Sequence, residues 1–90
     1  MLIISYDFTN DKLRRQFSKM LEKNGAVRLQ YSVYEVNHTS RHINNLRLLI
    51  HHDYVPKFDS TDSVLIISVP NNHVEKFGYA IHWDEDVTFI

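Results

Sequence analysis

The chain has no cysteine among its 90 residues, so disulfides, thiolate zinc sites and cysteine nucleophiles are excluded, and nothing points to an oxidising compartment. It also lacks an apolar run of membrane-spanning length, and MLIISYDF reaches an aspartate too early to form the apolar region of a signal peptide. The expectation is a cytoplasmic protein with no membrane partner. Internal repeats, low-complexity tracts and linkers are absent as well. Glycine and proline number two each, and Gly25, Pro56 and Pro70 stand where elements should stop. A chain this short makes one domain with one core and leaves much of its surface exposed, which a partner would cover.

What is present is an ordinary folding composition, 43% hydrophobic and 12% aromatic, well above that of a disordered chain. The formal net charge of -1 argues against a generic nucleic-acid binder, but it averages two unlike halves. Residues 1–50 hold eight Lys/Arg against four acids, a balance of +4, and residues 51–90 hold two against seven, a balance of -5. One half suits an anion and the other a cationic partner.

LIISYD, Leu2 to Asp7, reads as a buried strand whose end reaches the surface. Thr9 or Asn10 offers an N-cap, and Leu13, Phe17, Met20 and Leu21 follow at helical spacing until Asn24-Gly25. A first helix over about residues 10–24 is expected, with Lys12, Arg15, Lys19 and Lys23 on its outer face and Arg14 at the flank. Thr39 or Ser40 caps a second helix with Ile43, Leu46, Leu49 and Ile50 inside, ending near His52 before a loop that Pro56 keeps irregular. SVLIISV, Ser63 to Val69, is the strongest strand signal, ended by Pro70. Val74–Trp83 and the closing VTFI read as weaker strands around an acidic turn, Asp84-Glu85-Asp86.

Between the helices lies RLQYSVYEV, Arg28 to Val36, whose alternation breaks. Apolar residues fall at Leu29, Tyr31 and Val33, then at Tyr34 and Val36, which leaves Glu35 on the face that should be buried. A tight bend or bulge turns this stretch into two short strands and the core into βαββαβ, the α+β ferredoxin-like arrangement with added C-terminal strands. The expected division is a core over residues 1–70 and a strand extension over 71–90. Apolar Val87, Phe89 and Ile90 in the extension imply a docking surface on a partner.

LIISYDFTNDKLRRQFSKMLEKNG, followed by RLQYSVYEV, a second amphipathic helix and DSVLIISV, resembles the CRISPR-associated protein 2 family. The specific features are a strand ending Tyr-Asp, a basic first helix with Leu-Arg-Arg, and Gln-Tyr-Ser-Val-Tyr-Glu after its glycine. The resemblance implies a ferredoxin-like homodimer whose C-terminal strands add to the partner's sheet. It implies a scaffold that bridges two dimers of the larger CRISPR adaptation integrase and holds the double-stranded DNA that becomes a new spacer. Some members are described as magnesium-dependent nucleases on RNA or DNA, acting through the aspartate at the end of strand one, here Asp7. A toxin-like ribonuclease of the same fold is a third reading, because fold alone does not fix function.

Each candidate residue also carries a plainer reading. Asp7, alone or doubled across a two-fold axis, is a magnesium ligand and the catalytic acid on the nuclease reading, or an acid that caps the following turn. Lys12, Arg14, Arg15, Lys19 and Arg28 are the expected DNA contacts, to backbone and without sequence readout, or else members of a solvated face. Gln30, Ser32, Tyr34 and Glu35 are expected at the bend and the dimer seam, where polar groups need partners. Of the six histidines, His38, His42, His51 and His52 invite a metal reading, but no acid completes a ligand set, so they are taken as surface residues.

Overall fold

The structure, a computed structural model, describes residues 1–70 and 73–78. Its sheet is antiparallel with strand order β2-β3-β1-β4, built from β1 (Leu2–Asp7), β2 (Val27–Gln30), β3 (Val33–Val36) and β4 (Ser63–Ser68). With α1 (Asp11–Lys23) between β1 and β2 and α2 (Ser40–Leu49) between β3 and β4, the chain runs βαββαβ, as the break in RLQYSVYEV predicts. The first strand is central and pairs on both sides, with Ile4 opposite Tyr34 in β3 and Ile66 in β4.

The break in phase is two irregularities placed together. The pairing of β2 with β3 slips between Arg28 and Gln30, which leaves Leu29 as an extra, buried residue. Tyr31 and Ser32 then make the turn, and Ser32 takes φ 63°, the left-handed region. After the turn Tyr34 and Val36 point inward, at 2% and 0% exposure, while Val33 and Glu35 point to the opposite face.

Asn10 caps α1, accepting a hydrogen bond from the Leu13 amide at 2.9 Å, and Asp11 stands in the first turn where the dipole favours an anion. The helix stops where Gly25 takes φ 85°. A side chain there would be strained and would also collide with the His38 imidazole. Thr39 caps α2 through the His42 amide at 3.2 Å.

The second helix does not end near His52. It continues as one π-helical turn, Ile50–Tyr54, and then a 3-10 turn, Val55–Lys57. Pro56 fits that 3-10 turn because it occupies the first positions, whose amides have no acceptor inside the helix. The π turn rotates the chain so that Tyr54 meets Phe17 edge to face, with centroids 5.2 Å apart.

The core lies between the helices and one face of the sheet. Phe17, fully buried, touches the rings of Tyr6, Phe8 and Tyr54, and Phe58 closes the cluster against Phe8. Tyr34 is buried too, its hydroxyl 2.5 Å from Ser18 Oγ and donating to Glu22 at 3.3 Å. Burial pushes the Tyr34 hydroxyl's pKa above its ordinary 10.0, with the nearby Glu22 acting in the same direction. Tyr34 therefore belongs to the protomer's own core and is no seam residue, a correction that follows from the inward turn at Ser32.

The strand β4, the most apolar segment, is also the most open: Leu65, Ile66 and Ile67 are 60%, 36% and 47% exposed. It lies at the sheet edge, and Leu65 and Ile67 stand opposite Ser5 and Ile3 on the face that no helix covers. Of the weaker strands, residues 74–77 run without strand pairing, and residues 79–83, the acidic turn 84–86 and the closing VTFI lie outside the described residues. No helix among the described residues is long and apolar enough to cross a membrane.

Candidate nucleic-acid interface

Lys12, Arg15, Lys19 and Lys23 are all exposed on α1, opposite the side that buries Leu13, Phe17, Met20 and Leu21. Positions three and four apart share a helix surface, so the spacing sets these cations in one stripe along the axis. A stripe of mobile ammonium and guanidinium groups binds phosphates through charge and carries no base preference.

Arg14 is placed differently. Its guanidinium donates to the Phe8 carbonyl at 2.9 Å and pairs with the Asp11 carboxylate, which ties the β1–α1 loop to the helix. Arg28 lies on edge strand β2, exposed, with its guanidinium 5.7 Å from the centre of the Tyr31 ring and its Nε–H donating to the Gln30 carbonyl at 3.4 Å. Gln30 is exposed and Ser32 half-buried, and the Ser32 carbonyl accepts from the Tyr6 amide at 3.1 Å.

Glu35 sits on the sheet face that no helix covers, opposite Ile3, and accepts a hydrogen bond from Lys76 Nζ at 2.6 Å. Both side chains keep 13% exposure, so the segment carrying Lys76 passes over that face beside β3. Val87, Phe89 and Ile90 lie outside the described residues.

Asp7 is exposed at the end of β1, opposite Ser63. Two other acids gather near the same end of the sheet: Asp59 and Asp62 accept from the Thr9 hydroxyl and amide at 3.0 and 3.1 Å. The hydrogen bonds that Asp59 accepts, chiefly from the amide and hydroxyl of Thr61, hold its carboxyl below the ordinary 3.8. These acids brace the loop before β4. Among the described residues no three His, Cys, Asp or Glu side chains converge on a common point, so Asp7 has no second and third ligand among them.

Two arrangements carry no signal in the sequence. The His38 and His42 rings lie 4.4 Å apart and tilted by 42°, and the His42 Nε2–H donates to the Asn24 carbonyl at 2.6 Å, closing the end of α1. Tyr54 and Lys57 turn toward α1, with Lys57 Nζ 5.3 Å from the Tyr54 ring centre. A helical wheel continued through residue 57 misplaces both, because the π and 3-10 turns shift its phase.

Comparison with known proteins agrees with this geometry. Among curated protein sequences none matches. The crystal structure of Streptococcus pyogenes Cas2 at pH 6.5 is similar in fold, with a TM-score of 0.66 and 22% sequence identity over 86% of this chain and 98% of that one. The sequence profile described as CRISPR associated protein Cas2 matches residues 1–77. With a ferredoxin-like sheet, a basic first helix and a profile match over most of its length, this chain belongs to the Cas2 family of CRISPR-associated proteins and so to CRISPR adaptation.

Proposed function

We propose that the chain is the small subunit of the spacer-acquisition complex: a homodimeric scaffold that holds double-stranded DNA between dimers of the larger integrase. The observation that carries this reading is the division of the protomer into two unlike surfaces. One is the cationic stripe of α1; the other is the sheet face that no helix covers, with Ile3, Leu65 and Ile67. An exposed apolar face suits a second copy of the chain, and pairing two copies doubles the cationic stripe without adding a residue.

In this reading Lys12, Arg15 and Lys19 meet phosphates, Arg28 extends the contact from the sheet edge, and Arg14 holds the loop that positions α1. Gln30 and Ser32 sit at the edge of the seam, Glu35 within it, and Val87, Phe89 and Ile90 add the strand that docks on the partner. The test is duplex binding by the assembled complex, with Lys12→Glu and Arg15→Glu together. Replacing two attractions by two repulsions should remove most of the affinity at low salt. Binding that stays strong and insensitive to salt would eliminate the scaffold reading.

The nuclease alternative places magnesium at Asp7, and one carboxylate per chain supports it only if a second protomer supplies another. No reaction step is derived through that ion. An Asp7→Ala protein should bind duplex DNA within about twofold of wild type, since the acid stands apart from the α1 stripe.

A further inference from the structure

At the join between α1 and α2, two imidazoles lie against one peptide group. His38 and His42 have ring centres 4.4 Å apart although Thr39, the N-cap of α2, stands between them in the chain. His42 Nε2 is 2.6 Å from the Asn24 carbonyl oxygen, and His38 Nε2 is the atom that a Cβ on Gly25 would strike first. Both nitrogens therefore lie beside the Asn24–Gly25 peptide. Glycine at position 25 ends α1 with its φ of 85°, and its missing side chain is what lets the His38 ring close on the helix end.

The spacing is that of two ligands at a right angle. With metal–nitrogen bonds of about 2.0–2.1 Å, ring centres stand about 3.2 Å from an ion, hence about 4.5 Å from one another at a right angle and about 5.2 Å at the tetrahedral angle. The observed 4.4 Å matches the first. An imidazole nitrogen and a carbonyl oxygen, each about 2.0 Å from an ion and at a right angle, stand about 2.9 Å apart. The 2.6 Å between His42 Nε2 and the Asn24 oxygen has to open only slightly. Asn24 also closes the C-terminal end of α1, the pole of the helix dipole that favours a cation. Imidazole nitrogen and carbonyl oxygen in a tetragonal arrangement suit divalent copper or nickel. His38 is exposed and His42 half-buried, so solvent supplies the remaining ligands as water.

We propose that His38, His42 and the Asn24 carbonyl bind one divalent copper or nickel ion, which fastens the end of α1 to the start of α2. The set is two side chains and a backbone oxygen, and it needs no carboxylate. On binding, His42 carries its proton on Nδ1 and presents the Nε2 lone pair, so the ion replaces the hydrogen bond to Asn24. His51 and His52 provide the contrast: they are consecutive on the π turn, and neighbours in sequence do not share a helix face. None of the ligands takes part in the duplex contacts, so the inference does not rest on the scaffold reading.

The test is calorimetric titration of the full chain, free of any histidine tag, with copper(II) and with nickel(II) chloride. One ion per chain is expected, and electron paramagnetic resonance of the copper form should show two coupled imidazole nitrogens. His38→Ala keeps the hydrogen bond from His42 to Asn24, so the join still forms. It should weaken both ions by more than about 10-fold, the loss that removal of even an outer-shell partner brings. His51→Ala with His52→Ala should bind as wild type does. Thermal unfolding separates the folded site from histidines of the unfolded chain. Nickel at about 100 times its Kd should multiply the folded-to-unfolded ratio of wild type by about 100, and that of His38→Ala by about 10 at most. A His38→Ala protein with wild-type affinity and a two-nitrogen spectrum, or a His51→Ala, His52→Ala protein that loses the ion, overturns the proposal and leaves the duplex reading untouched.

Discussion

Toward the helices, β1 sends Leu2, Ile4 and Tyr6, each no more than 6% exposed; toward the other side it sends Ile3, Ser5 and Asp7, where β4 adds Leu65 at 60% and Ile67 at 47%. The residue types overlap, yet one face is closed by an aromatic cluster around Phe17 and the other carries no helix among the described residues. Apolar content therefore does not decide which face becomes core. The helices decide it, because α1 and α2 each bring a stripe that needs covering and both lie on the same side. The uncovered face keeps its aliphatic side chains for something else, and in a chain this short that is most simply a second chain.

The comparison is broken most severely from the closed face. Phe17→Ala removes a fully buried ring that touches three other aromatics, and should cost about 3–5 kcal/mol. Against a total of about 5–15 kcal/mol for a domain, urea unfolding should find the protein barely folded. On the open face, Leu65→Gln with Ile67→Gln should leave the protomer's unfolding within about 0.5 kcal/mol. The same pair should weaken self-association by about 3 kcal/mol, roughly a hundredfold in Kd, read by sedimentation. If the pair unfolds the protomer instead, the open face is core and the distinction fails.

The smallest effect sharpens the boundary between the faces. Tyr34→Phe removes the hydroxyl shared with Ser18 and Glu22 and should cost about 1 kcal/mol. Because burial raises the Tyr34 pKa, the folded state holds this proton more tightly than the unfolded chain does. The resulting stability is complete below pH 10 and is lost as pH rises from 10 through the folded-state value. Chemical denaturation between about pH 9 and pH 12 should show a shallower alkaline decline for Tyr34→Phe than for wild type.

Much of this arrangement was legible in local chemistry. The caps at Asn10 and Thr39, the stop at Gly25 and the four strands of the core follow from side-chain hydrogen bonding, backbone freedom and periodicity. The broken alternation of RLQYSVYEV is legible as two strands, although the bulge at Leu29 and the turn at Tyr31-Ser32 share the work that one bend was expected to do. What could not be read depends on tertiary placement. Arg14 looks like any helix arginine until the Phe8 carbonyl is found beneath it. SVLIISV reads as the strongest strand, but its place in the sheet is not legible: among the described residues it pairs with β1 alone and lies at the edge. Tyr54 and Lys57 reach α1 only because the helix loosens into a π turn that no periodicity announces.

The claim that joins both faces is that a partner on the open one doubles the cations on the covered one. The measurement is the salt dependence of duplex DNA binding, wild type beside Leu65→Gln, Ile67→Gln, a substitution that changes no charge. With Lys12, Arg15 and Lys19 each meeting a phosphate in both protomers, log K should fall with a slope of about -5 against log salt for the dimer and about -3 for the variant. Equal slopes for the two proteins, or binding that ignores salt, would contradict the account.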